Sequence, residues 1–353
     1  MTTSRVLPRS AFLAALAALA SPLAVSEPLL PAAHAEEVVN IYSYREPKLI
    51  DPLLKAFEQT SGIKTNVVFA KDGLIERLAA EGRNSPADVL LTNESGLLIQ
   101  AREAGVTQPL KSGALESAIP AALRDPDGHW FGLTQRARVI YASKDRVKQD
   151  AISYEELADP KWKGKICIRS GQHTYNVALV ASMIAHHGDA KAEQWLKGLK
   201  ANLARKPAGG DREAVRDVQA GLCDLAIANT YYMAAMLNNP EQKAWADAVR
   251  IVFPNAGDRG THVNISGMSL AANAPNKANA VKLMEYLAGA EAQKAYAEVN
   301  SEYPVMAGVG GSDLVKSWGP LKADALPLAE ISKLRRKASE LIDAVKFDAG
   351  PSS

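Results

Sequence analysis

Two cysteines in 353 residues, a formal net charge of +2 and a scarcity of catalytic signatures set the first limits on this chain. Two cysteines cannot build the multi-bridge framework of a small secreted scaffold or a four-cysteine zinc site. A nearly neutral chain has no bulk electrostatic attraction to nucleic acid or to an anionic membrane surface. Beyond residue 35 no apolar run is long enough to cross a bilayer. There is no GxSxG elbow, no HExxH helix and no GxxxxGK[ST] phosphate loop. The one SxxK match, Ser61-Gly62-Ile63-Lys64, lies where a helix hands over to a strand and reads as a turn. Beyond residue 35 the histidines are His129, His173, His186, His187 and His262, and none has a partner at metal-ligand spacing. His186-His187 closes an apolar helix before Gly188 and suits the negative end of its dipole. An enzyme would need a nucleophile beside a base, and no such set is visible, so a binding protein is expected.

The N-terminus carries an address. Arg5 and Arg9 precede the apolar run Ala11–Ala20, and Ala33-His34-Ala35 offers small residues at a signal-peptidase site. Residues 1–35 are therefore expected to be a signal peptide cleaved after Ala35, which places the protein in the periplasm. No cysteine lies near the cleavage point, so a lipoprotein is not expected, and the lack of an Arg pair favours export in the unfolded state. In an oxidising compartment Cys167 and Cys223 read as a disulfide, with two buried free thiols as the competing reading. Such a bridge closes a long loop and stabilises by about 2–4 kcal/mol.

The remaining chain is longer than one hydrophobic core usually serves, which predicts two lobes. Strands over 38–42, 64–69 and 88–91 alternate with helical periodicity over 49–57 and 72–81, an order that implies a parallel sheet covered by helices. Pro47 and Gly62 mark the ends of the first helix. An extended stretch over 130–143 is long enough to carry the chain from one lobe into the other, and 265–271 reads as the return. The pattern between them restarts with strands over 165–168, 224–228 and 250–253 and helices over 175–186, 193–202 and 212–220. Helices follow over 277–287, 291–299 and 328–345, and the tail after Lys346 is expected to be disordered. The expected architecture is α/β and two-lobed, with a hinge of two crossing strands and a ligand cleft between the lobes.

Tyrosine is the informative residue. Tyr231-Tyr232 follow a strand and the Asn229-Thr230 turn, the end of a strand where open α/β sheets place ligands. Tyr175 opens a helix after another strand and the loop Ser170–Thr174. Core packing of one ring is the alternative for the adjacent pair. Phenolate oxygen is a hard anionic donor suited to a trivalent metal, which itself drives off the phenol proton.

Four segments carry a resemblance: Asn40-Ile-Tyr-Ser-Tyr-Arg-Glu-Pro47, Thr134-Gln-Arg-Ala-Arg-Val-Ile140, Cys167-Ile-Arg-Ser-Gly-Gln-His-Thr-Tyr-Asn176 and Asn229-Thr-Tyr-Tyr-Met233. Together they resemble the ferric-binding periplasmic proteins of bacterial iron ABC transporters. The resemblance implies Fe(III) bound by Tyr231, Tyr232 and Tyr175, with Tyr44 as a candidate fourth ligand. One branch of that family uses a His and a Glu where this chain has Glu46 and Asn93, so that pair of ligands is not implied. A synergistic anion such as carbonate is implied beside the metal, and guanidinium suits an oxyanion. Arg45 and Arg136 are its expected holders, Arg138 a third, and Asn176 and Asn229 are expected to orient the phenolates.

The lobe boundaries expected are 36–137 with 268–353 for the first lobe and 138–267 for the second. The partner implied is an ABC-transporter permease in the inner membrane, approached by a monomer. Receptors for oxyanions, thiamine or polyamines share this architecture and remain the alternative.

Overall fold

Strands and helices alternate along the chain; the first β-α-β-α-β run follows the expected order, while helices over 95–103, 113–118, 231–237, 243–247 and 313–317 and a short strand over 303–304 add to it. The computed structural model describes residues 37–351; the expected leader and its cleavage point after Ala35 lie outside them. The first run is β1 (Val38–Ser43), α1 (Pro47–Ser61), β2 (Lys64–Phe69), α2 (Leu74–Glu81), β3 (Val89–Thr92), α3 (Ser95–Glu103) and α4 (Gly113–Ala118). β4 (Phe131–Ser143), β5 (Ile166–Cys167), α5 (Thr174–His187), α6 (Asp189–Ala201) and α7 (Asp211–Gln219) follow. Next come β6 (Leu225–Asn229), α8 (Tyr231–Leu237), α9 (Lys243–Asp247), β7 (Val249–Val252) and β8 (Val263–Leu270). The chain closes with α10 (Lys277–Ala288), α11 (Ala290–Asn300), β9 (Tyr303–Pro304), α12 (Asp313–Ser317), α13 (Leu328–Lys333) and α14 (Arg335–Ala344).

Local sequence explains the leading elements. α1 begins with Pro47, whose missing amide costs nothing there, and buries Ile50, Leu53, Leu54 and Phe57 on one stripe. Gly62 ends it in the left-handed conformation (φ 74°), returning its amide to the Glu58 carbonyl. β3 and β6 are buried at every position and correspondingly apolar, as strands covered on both faces must be. β2 alternates exposed and half-buried residues, as an edge strand does.

The sheet order is β2-β1-β3-β8-β4-β6-β5, and the strands are not all parallel. β1 pairs in parallel with β2 and β3, and β5 with β6, while β4 and β8 run antiparallel to their neighbours. These two exceptions are the crossing strands. β4 pairs with β8 through Ala137, then with β6 from Arg138 onward, so its partner changes between adjacent residues. One end of β4 thus belongs to the sheet of β1, β2, β3 and β8, and the other to that of β5, β6 and β7. The result is the two-lobed α/β fold with a hinge of two strands that the sequence predicted.

Cys167 and Cys223 form a disulfide with Cα atoms 5.9 Å apart, joining the start of the β5 loop to the approach of β6. Two expectations are corrected at the C-terminus. The helix over 328–345 is two helices, interrupted at Leu334. The tail beyond Lys346 is packed against the fold where it is described, over residues 347–351: Phe347 is buried, and the Asp348 carboxylate accepts from the Gly171 amide at 2.6 Å. Sequence periodicity could not show this, because the pocket that takes Phe347 exists only where Gly171 leaves room for it.

Candidate functional site

The three tyrosines arrive at one place by two routes. β5 leads through Ser170–Thr174 to the first turn of α5, where Tyr175 sits; β6 leads through Asn229-Thr230 to the first turn of α8, where Tyr231 and Tyr232 sit. Because β5 and β6 are parallel neighbours, their C-terminal ends open side by side. The hydroxyls of Tyr175 and Tyr231 lie 3.1 Å apart and share a hydrogen bond, and the rings of Tyr231 and Tyr232 have centroids 4.3 Å apart. All three line a cleft of ≈ 440 Å³ whose far wall carries Tyr44, Arg45, Glu46 and Asn93.

Charge around the phenols is one-sided. The guanidinium carbons of Arg136, Arg138 and Arg169 lie 5.9, 5.8 and 5.5 Å from the centroid of the Tyr175 ring. One carboxylate, Asp211, answers two of them: it pairs with Arg138 and lies 3.5 Å from Arg169. Arg138 also donates to Asn229 Oδ1 at 3.2 Å and Asn176 Oδ1 at 2.8 Å. Arg136 donates to the Asn93 carbonyl, while its Nε and Nη1 are buried without a protein partner. It is the guanidinium of this group with donors to spare and no carboxylate attached.

Tyr231 and Tyr232 resist ionisation. Burial, followed by the charges of Tyr175 and Tyr232, pushes Tyr231 well above the usual tyrosine range; burial and Tyr175 raise Tyr232. Ionising such a group at neutral pH costs more than it does for a free phenol. A multivalent cation at the point where the hydroxyls converge reverses that cost, since each phenolate then meets charge of opposite sign. Among the described residues no three His, Cys, Asp or Glu side chains gather as a metal site. The cleft lining also carries Glu46, Glu298 and Glu302, but phenol oxygen is the donor gathered at the strand ends.

The other predicted residues are placed as follows. Tyr44 lines the cleft, but its hydroxyl accepts from the Ile75 amide at 3.0 Å. Arg45 is buried and bound through both terminal nitrogens to Glu302, at 3.1 and 3.0 Å. Burial alone would raise the Glu302 carboxyl; Arg45 and Arg136 hold it below the usual range. Asn176 and Asn229 reach Arg138, and Asn176 Nδ2 donates to the Arg169 and Ser170 carbonyls at 3.2 and 2.9 Å. They fix the loop and the arginine, and their side chains make no hydrogen bond to the hydroxyls of Tyr175, Tyr231 or Tyr232. His173 caps α5, its Nδ1 accepting from the Tyr175 amide at 3.3 Å, and burial beside Arg169 lowers it to about 4. The unpaired histidines His186 and His187 bond Asp324 and Glu155, each at 2.6 Å.

Sequence reasoning missed Asp211, Arg169 and Glu302. Asp211 opens a helix after Gly209-Gly210 and carries no motif of its own. Glu302 is 257 residues from its partner Arg45, a separation that no local pattern signals.

Comparison with known proteins gives a consistent picture. The profile of the bacterial extracellular solute-binding proteins matches residues 84–321. Iron uptake protein A1 of Synechocystis is 44% identical over 312 residues, covering 87% of each chain. Among solved structures, a Bordetella ferric binding protein is 57% identical with a TM-score of 0.85, covering 88% of this chain and 100% of that one. A Trichodesmium protein in complex with iron and citrate ligands is 45% identical with a TM-score of 0.85, covering 88% of this chain and 99% of that one.

Proposed function

This chain belongs to the bacterial extracellular solute-binding proteins, and from that premise we propose that it captures Fe(III) through Tyr175, Tyr231 and Tyr232. The observation that carries the reading is the convergence of the three phenols, with two hydroxyls 3.1 Å apart, beside a guanidinium that has unused donors. Three phenolates balance a trivalent ion. Coordination positions left over take an oxyanion such as carbonate, which Arg136 holds with Nε and Nη1. Arg45 contributes to the cleft chiefly through Glu302 and is the lesser partner for an anion. Tyr44 would have to leave the Ile75 amide to serve as a fourth ligand, so three phenolates are assigned.

No step of this reading is a chemical conversion. The lobes 36–137 with 268–353, and 138–267, close on the ion; α13 and α14, numbered with the first lobe, pack against α5 of the second. The ion sits on the tyrosine wall and its anion reaches Arg136 of the first lobe; that contact across the cleft favours the closed form, and only that difference in affinity shifts the population. The leader, cleaved after Ala35, delivers the protein to the periplasm, where it passes its cargo as a monomer to an ABC-transporter permease. No helix among the described residues is long and apolar enough to cross a membrane. A polyamine receptor fits less well, because buried Glu302 is already neutralised by Arg45.

Competition with citrate for Fe(III), in the presence and absence of bicarbonate, tests the proposal. Tight binding that bicarbonate strengthens and Arg136→Gln makes indifferent to bicarbonate is the expected result. Binding of sulfate or phosphate with no metal dependence would contradict it in favour of an oxyanion receptor.

A further inference from the structure

The loop that presents Tyr175 is held from behind by the end of the chain. Gln172 Nε2 donates to the Ser339 carbonyl at 2.9 Å and to Asp343 Oδ1 at 2.7 Å, and Ser339 Oγ donates back to Gln172 Oε1 at 2.7 Å. Asp348 takes the Ser170 hydroxyl at 2.5 Å and the Gly171 amide at 2.6 Å. Gly171 is required here: a Cβ would stand 2.7 Å from Phe347 Cδ1 and 2.9 Å from Ile342 Cγ2. Arg335 completes the set from two sides. One terminal nitrogen donates to the hydroxyl of Thr174, the residue before Tyr175, and the other reaches Glu94 Oε2 at 3.2 Å. Glu94 follows Asn93, whose carbonyl holds Arg136 on the far side of the phenols.

We propose that Arg335–Asp348 is a positioning clamp for Tyr175, and that Arg335 ties the loop of Glu94 on one wall of the cleft to the tyrosine loop on the other. This rests on the reading of Tyr175 as an iron ligand. A short loop with few backbone bonds of its own wanders unless side chains fix it, and a ligand that wanders binds more weakly. Outer partners that orient metal ligands are typically worth about 10- to 100-fold in affinity. Asp348 is suited to the task because an ionised carboxylate makes shorter, stronger bonds to an amide and a hydroxyl than a neutral acceptor does. Arg335 is suited because the two terminal nitrogens of its rigid fork reach separate partners in fixed directions, where a lysine has a single nitrogen.

The test compares Asp348→Ala, Asp348→Asn, Arg335→Gln, Arg335→Lys and Tyr175→Phe in the full exported protein. Fe(III) affinity, the phenolate-to-iron absorption band and amide hydrogen exchange over residues 170–175 are measured in each. Asp348→Ala is expected to speed exchange in that loop, weaken binding by about 10- to 100-fold and move the band toward that of Tyr175→Phe. Asp348→Asn restores part of both, and Arg335→Lys behaves like Arg335→Gln although it keeps the charge. Wild-type affinity and band in Asp348→Ala and Arg335→Lys overturn the proposal. If Asp348→Ala does not fold, the Arg335 pair decides. If Tyr175→Phe leaves band and affinity unchanged, the ligand reading fails; the clamp is then judged on loop exchange in metal-free protein, and unchanged exchange overturns it.

Discussion

The two walls of the cleft carry similar residues and leave them in different states. On one wall both terminal nitrogens of Arg45 are bound to Glu302, with Nε alone left over, and the Tyr44 hydroxyl is taken by the Ile75 amide. On the other, Tyr175 and Tyr231 have each other for company; facing them, Arg136, held by the Asn93 carbonyl, keeps two buried nitrogens unpartnered. A tyrosine and an arginine on the first wall are parts of a finished structure. The tyrosines of the second wall, and the Arg136 that faces them, have no such pairing with a carboxylate or a backbone amide among the described residues. Residue type thus identifies candidates, and the state of their hydrogen bonds separates wall from site.

The largest effect should come from breaking a finished pair. Arg45→Gln strands a buried Glu302 carboxylate and is expected to cost about 3–5 kcal/mol of stability in denaturant titration, with metal affinity changing far less. A variant that kept its stability and lost its iron would erase the distinction between the walls. Next, Tyr231→Phe removes an anionic ligand without a cavity and should weaken Fe(III) binding by more than about hundredfold in citrate competition, since even outer partners reach that range.

An acid titration of metal-free protein sharpens the same contrast, because a buried neutral histidine lies behind the second wall. Burial, opposed by Asp324 and reinforced by Arg138, Arg335 and His186, lowers His262 to about 4. Its unfolded form binds a proton near pH 6.5, so stability is complete above that value and falls as the pH drops toward 4. By pH 5 the loss from this group is about 2 kcal/mol, and His262→Gln should flatten that part of the profile. Arg136→Gln is expected to lower iron affinity about tenfold and to abolish its bicarbonate dependence. The smallest change belongs to Tyr44→Phe, which should alter affinity by less than about threefold; a hundredfold loss would move Tyr44 to the ligand set.

Much of this was legible before any coordinates. Apolar periodicity located α1, and the unusual length of the 130–143 run announced a strand serving two sheets. Tyr175 and Tyr231-Tyr232 were readable because each follows a strand end within a few residues, and the disulfide because two cysteines in an oxidising compartment have only one pairing. The unreadable parts are those made by distance. Arg45 meets Glu302 and Arg335 meets Glu94 across 257 and 241 residues, so no local window contains both partners. The tail after Lys346, expected to be disordered, is held over residues 347–351 by a pocket built elsewhere in the chain. Which arginine would be free was likewise undecidable from sequence, since Arg45, Arg136 and Arg138 differ only in whether a distant carboxylate reaches them.

The most direct test of the central claim is a visible absorption titration of metal-stripped protein with ferric citrate. The account predicts a phenolate-to-iron charge-transfer band that saturates at one ion per chain and is lost or displaced in Tyr175→Phe, Tyr231→Phe and Tyr232→Phe, but kept in Tyr44→Phe. Tight iron binding without such a band, or a band indifferent to those three substitutions, would contradict it.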